Sequence, residues 1–143
     1  MSRIEAFINK MKQKYGDEVI IKEKNSNEAT LENVPQPLKE FYLKYEYVEF
    51  PFGSIDPVET AVRHSAAAEP FKSEGWFCFG FDGYFSYWLC RYEADAEGLW
   101  ITPWDHEVDS EIEGVYEDLV SLLQSVEEEY EENREEYEDE FLE

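Results

Sequence analysis

The residues best suited to chemistry in this chain are a carboxylate-rich stretch, two cysteines and two histidines. The stretch is Asp105-His106-Glu107 with Asp109 and Glu111; the others are Cys78, Cys90, His64 and His106. Carboxylates beside a histidine suit Ca²⁺ or Zn²⁺, because hard cations take oxygen ligands and zinc accepts imidazole. The spacing matches neither the calcium loop of an EF-hand nor the helical His pair of a zincin. A solvated loop at a strand end is the better reading, and no metal or other cofactor is expected. Nucleophilic catalysis would need Cys78 or Cys90 oriented by His64 or His106. Cys78 lies within Trp76-Phe77-Cys78-Phe79, where a thiol is small core filler with a raised pKa, and Cys90 ends a similar run. A carboxylate beside a ring, as in sugar-processing clefts, occurs at Asp82 near Tyr84 and at Asp105 near Trp104. With 35 acids and 24 aromatic residues in the chain, such neighbours arise by chance. The expectation is a protein that is not an enzyme.

What the acids do offer is charge. The 143 residues carry 35 Asp and Glu against 12 Lys and Arg, a formal net charge of −23. Residues 1–45 hold 8 basic and 7 acidic groups, while residues 46–143 hold 4 basic and 28 acidic groups, a net −24. The negative charge therefore belongs to one part of the molecule. Nucleic acid and anionic membranes are poor partners for it, and a basic protein is a good one. Aromatic residues make up 17% of the chain, far from the aromatic-poor composition of a disordered acidic tail. A single folded domain over 1–143 is expected. No apolar run approaches the roughly 18 residues of a membrane span, and Met1-Ser2-Arg3-Ile4-Glu5-Ala6 has no signal-peptide pattern. The default compartment is the cytoplasm, where both cysteines would be reduced. A Cys78–Cys90 disulfide would need an oxidising location.

The elements that position these residues follow from periodicity. Ile4, Phe7, Ile8 and Met11 predict a first helix stopping near Gly16, and Val19-Ile20-Ile21 a short strand. Asn25-Ser26-Asn27 reads as a turn. Pro35 and Pro37 lead into a second helix through Leu38, Phe41, Tyr42 and Tyr45. Phe50 to Ile55 is extended or turning. Asp56 is the expected N-cap of a third helix, with Pro57 at its first position, Glu59 completing a capping box, and an end before Pro70. Two aromatic runs flanking Asp82-Gly83 predict a hairpin with a type I′ turn, with Trp76–Phe81 as a central strand covered on both faces. A turn at 95–98 leads to a third meander strand, Leu99-Trp100-Ile101-Thr102, closed by Pro103. Leu119, Leu122, Leu123, Val126 and Tyr130 mark a closing helix, continued by Tyr137 and Phe141. Residues 117–143 hold 13 carboxylates and one base, so 131–143 is expected to fray unless something docks on it. The fold class is α+β, an antiparallel meander flanked by N- and C-terminal helices.

Several local motifs resemble the SUKH superfamily, which includes a fungal regulator of cell-wall assembly and many bacterial immunity proteins. Val34-Pro35-Gln36-Pro37-Leu38-Lys39-Glu40-Phe41-Tyr42 is similar to its proline-entered aromatic helix. Trp76 to Leu89 looks like its strand, Gly-acidic-Gly turn, strand; Ile101 to Glu107 looks like its third strand ending in a His-Glu step. Tyr116 to Leu123 is similar to its closing helix, and the resemblance spans 28–126. It departs where the family usually has Asn-Gly after the second helix, since Tyr45-Glu46-Tyr47 stands here. The resemblance implies a domain that binds and neutralises a cognate toxin, often a nuclease, from a polymorphic or contact-dependent system. Asp82, Asp105, Glu107, Asp109 and Glu111 are the expected acidic contacts, with Tyr84 and Trp104 as the apolar ones. A regulatory adaptor is the alternative, followed by a small-ligand or sugar-binding domain. The run from Glu127 to Glu140 is a solvated face or a segment that imitates phosphate spacing.

Overall fold

The computed structural model describes residues 2–24, 31–83, 86–94, 96–105 and 112–141, with only the backbone described from 134 onward. The chain begins with α1, Arg3–Tyr15, which buries Ile4, Phe7, Ile8, Met11 and Tyr15 along one stripe. The Ser2 hydroxyl accepts the Glu5 N–H at 3.2 Å and caps its start. A single 3₁₀ turn then leads to β1, Ile20–Glu23. Helix α2, Gln36–Lys44, carries Pro37 in its first turn, where the missing N–H costs nothing, and buries Leu38, Phe41 and Tyr42. It runs straight into β2, Tyr45–Phe50, and β3, Gly53–Ile55. Next come α3, Val58–Ala67, and the single turn α4, Phe71–Glu74. Strands β4, Trp76–Phe81, β5, Ser86–Arg91, and β6, Ile101–Asp105, precede the closing helix α5, Leu119–Phe141.

The strands form one antiparallel sheet in chain order, β1 to β6. The fold is α+β: the expected meander corresponds to β4, β5 and β6, the expected short strand to β1, and β2 and β3 complete the sheet between them. Tyr45-Glu46-Tyr47 is strand rather than loop: Val48 and Phe50 face the core in alternation, and a register shift against Lys22 and Glu23 lets Tyr45 face it as well, so no clean period-2 pattern marks the strand. Pro103 does not close the third meander strand. It sits inside β6 opposite Trp88, which is allowed because β6 is the edge of the sheet and Pro needs no partner there. Tyr116 then exchanges two backbone bonds with Ile101, of 2.8 and 3.0 Å, and covers that edge near its start. The cap of α3 is also displaced. Pro57 is the N-cap and no side chain bonds the first turn, so the Asp56 capping box does not form. Instead the Asp56 N–H donates to the Phe79 carbonyl and its own carbonyl accepts the Tyr42 hydroxyl, which ties the strand end to β4 and α2.

The sheet has two unlike faces. Helices α1, α2 and α5 pack on one, joining Val48, Ile55, Phe77, Phe79, Trp88 and Cys90 in the large core. On the other, Phe71 of α4 meets Trp76, Cys78 and Leu89 in a smaller cluster. Strand β4 is thus central and covered on both sides, as expected, and its register slips between Cys78 and Gly80. This bulge at Phe79 leaves the Cys78 N–H to donate to the Ser65 hydroxyl of α3 at 2.8 Å, anchoring that helix on the sheet. Cys78 pairs with Leu89 and its neighbour Phe77 with Cys90, so the two thiols point to opposite faces and are both free. A disulfide between them is excluded by that register. Asn25-Ser26-Asn27 lies outside the described residues.

Candidate functional site

The expected two-residue hairpin turn at Asp82-Gly83 is wider than that. Strand β4 ends at Phe81 and β5 begins at Ser86, and the Asp82 N–H donates to the Ser86 carbonyl at 3.0 Å. The Asp82 carboxylate in turn accepts the Ser86 N–H at 3.1 Å, closing the turn with its side chain. Ser86 pairs on its other side with Asp105, the last residue of β6. The register therefore brings Asp82 and Asp105 to either side of Ser86 at one end of the sheet.

One residue further in, the same three strands carry rings. Phe81, Tyr87 and Trp104 are cross-strand partners on the outer face, with centroid separations of 4.8 Å between the first two and 6.4 Å between the last two. Phe71 from α4 meets Tyr87 and Trp104 edge-on, at 5.8 Å each, and His64 from α3 meets Phe71 and Tyr87 at 5.3 and 5.8 Å. Phe81, Tyr87 and Trp104 are all half-buried. The Trp104 Nε1 is closed off from solvent and has no hydrogen-bond partner among the described residues, so this ring contributes a face or edge, not a free donor. The site is an acidic strand end bordering an aromatic row. Such a border suits protein recognition, where rings supply buried area and flanking charges supply orientation.

Of the residues expected from sequence, the structure joins Asp82, Trp104 and Asp105. Tyr84, Glu107, Asp109 and Glu111 lie outside the described residues, as does His106. Sequence reasoning missed Phe81, Tyr87 and Phe71, and weighed His64 only as a partner for a cysteine. The first two were within reach, since residues flanking a hairpin turn must pair. The other two arrive from separate helices, and no spacing in the sequence announces them.

The remaining chemistry is quiet. Burial, with the Asp56 charge nearby, pushes the Cys78 thiol up to about 12, the opposite of an activated nucleophile. Burial likewise raises Cys90. Burial pushes the Asp56 carboxyl up as well, against a smaller opposing pull from His64. Among the described residues no three His, Cys, Asp or Glu side chains gather to hold a metal ion, and no helix is long and apolar enough to cross a membrane.

A second acidic surface has a different character. Where α5 crosses α1, Lys14 pairs with Glu127 and Glu131, Tyr15 donates its hydroxyl to the same two carboxylates, and Arg3 pairs with Asp118. Basic residues of the N-terminal part are thus spent on holding α5. Glu128, Glu129 and Glu132, on its other side, are exposed.

No family model matches the chain, and no curated protein or solved structure does.

Proposed function

We propose that this chain is a non-enzymatic binding domain that recognises and neutralises a basic, nuclease-type toxin domain in the cytoplasm, in the manner of SUKH immunity proteins. The observation that carries the reading is the pairing of Asp82 and Asp105 around Ser86, beside the row Phe81, Tyr87 and Trp104. Nuclease domains are basic because they hold phosphates, so a patch of fixed carboxylates meets the groove that would hold the substrate. Long-range attraction from a part of the chain carrying −24 speeds the encounter. The rings then supply the desolvated centre that slows release. In sequence, Glu107, Asp109 and Glu111 follow directly on Asp105 and add to the same charge.

The test is co-expression with the C-terminal domain encoded by the adjacent gene, scored by host survival and co-purification. The expected complex weakens steeply as salt is added, and the double variant Asp82→Asn with Asp105→Asn slows association about tenfold. An affinity indifferent to salt would sink the charge-steered mechanism. Survival without any co-purifying complex would sink direct neutralisation.

A further inference from the structure

Residues 46–143 contain only four basic side chains, Arg63, Lys72, Arg91 and Arg134; Lys72 lines a groove, and Arg91 lies against one of its walls, Trp76. The groove lies on the outer face between α3, α4 and the start of β4, with a volume of about 490 Å³. Val62 and Ala66 of α3, Phe71 of α4, Trp76 and Tyr92 give it an apolar lining, and Lys72 lines it too. The Arg91 guanidinium lies 5.3 Å over the Trp76 ring, and Arg63 is exposed beside Val62 on α3. Glu69, Glu74 and Glu93 are close in sequence and exposed, yet among the described residues no Asp or Glu lines the groove. Val62 and Tyr92 are 36% and 48% exposed, apolar side chains left open on its walls. That is the form of a surface groove for a chain segment, since a small-ligand cavity encloses most of its occupant.

We infer that this groove docks an acidic peptide segment of a partner protein, one that carries an apolar or aromatic side chain next to a carboxylate. The apolar side chain rests against Val62, Phe71 and Tyr92, and the carboxylate meets Lys72 and Arg91. Charge complementarity selects this occupant. A basic segment drawn to the rest of the molecule would here face the lining Lys72 with Arg91 beside it, and among the described residues no lining carboxylate. Phe71 is shared with the aromatic row, so the groove and the acidic strand end are adjoining sites of opposite preference. The inference stands whether or not the partner of the acidic end is a toxin.

A random peptide library displayed on phage, panned against the purified chain, tests it. Enriched sequences should place Asp or Glu beside Trp, Phe or Leu, and a synthesised winner should bind about tenfold more weakly to Val62→Asp and to Lys72→Glu. Both positions are exposed, and an unchanged thermal midpoint checks that the variants are folded. The double variant Asp82→Asn with Asp105→Asn should bind the peptide as the wild type does, which separates this site from the acidic one. Basic winners, no winners, or binding unchanged in both groove variants would overturn the inference. Self-association of the chain in light scattering, abolished by Val62→Asp, would overturn it in favour of a second copy as occupant.

Discussion

Trp88 and Tyr87 are neighbours in β5 and face opposite ways, and their surroundings differ in kind. Trp88 is wholly buried, its indole pressed against the backbone of two glycines. A Cβ on Gly53 would stand 2.6 Å from the ring, and one on Gly80 would stand 2.6 Å from the ring and 2.5 Å from the Ser54 carbonyl oxygen. Tyr87 is half-buried, and the side chains of Phe81, Trp104, Phe71 and His64 pack around its ring. The core face is therefore set by backbone clearance, which cannot be varied piecemeal. The outer face is set by side chains, which can be exchanged while the sheet persists. Recognition that must be matched to a particular partner belongs on the second kind of surface.

The largest expected effect follows from that clearance. Gly80→Ala should cost about 3 kcal/mol, because the Ser54 carbonyl on one side and the Trp88 ring on the other leave no direction for relief. Gly53→Ala should behave similarly, with its φ of +144° adding backbone strain that any side chain would suffer. Tyr87→Ala on the other face should cost less, about 1.5 kcal/mol, since only part of its ring area is buried. Denaturant titration of the three variants checks the order. A Gly80→Ala protein as stable as Tyr87→Ala would break the contrast between the faces.

The closing helix gives an intermediate effect with a pH signature. The Asp118 carboxylate accepts the Ser121 N–H at 2.8 Å and pairs with Arg3 at the start of α5. Burial opposes its charge, but the Ser121 bonds and Arg3 outweigh it and hold the carboxyl below its ordinary value. A depressed pKa contributes stability that is present above the unfolded value and lost as pH falls through the folded one. Asp118→Ala should therefore cost about 1 kcal/mol near neutrality, with the gap to wild type closing in acid. At the alkaline end the sign reverses. Burial, with Glu131 and Glu127 adding to it, raises the Tyr15 hydroxyl. Its contribution is complete below the unfolded value and fades as pH rises beyond it. Tyr15→Phe should lose about 1 kcal/mol at neutral pH and narrow the gap only in strong alkali. Melting curves across pH read both.

These contrasts also mark what the sequence made legible. The stripes of α1, α2 and α5 are plain because each buries one face against one core, and burial writes a 3.6-residue period. Strand β2 was not legible, because Tyr45 read as the end of an aromatic helix and Phe50 as the start of an extended or turning stretch, and a register shift breaks the alternation between them. Strand β3 has three residues, too few for any period to appear. Pro103 misled for a local reason, since proline ends a strand only where its missing N–H was needed. At the site, Asp82, Trp104 and Asp105 were visible as turn and strand-end residues, whereas Phe71 and His64 depend on how α3 and α4 lie across the sheet. The glycine slot around Trp88 was invisible, because clearance is a property of the folded backbone.

The smallest expected effect on stability is the most telling for function. Asp82 and Asp105 sit at a strand end, where a carboxylate can be either a structural cap or a recognition group. Asn at position 82 keeps an oxygen to accept the Ser86 N–H, so Asp82→Asn removes the charge and leaves the turn closed. Asp105→Asn removes a second charge from a half-exposed position. Together they should move stability by no more than about 0.5 kcal/mol in either direction. Relief of repulsion within a chain of net charge −23 favours a slight gain. A loss as large as that of Asp118→Ala would mean that these carboxylates hold the strand end in place, and their value as contacts for a basic partner would have to be surrendered. An unchanged midpoint together with weakened, less salt-sensitive binding of the proposed basic partner would assign the two acids to recognition alone.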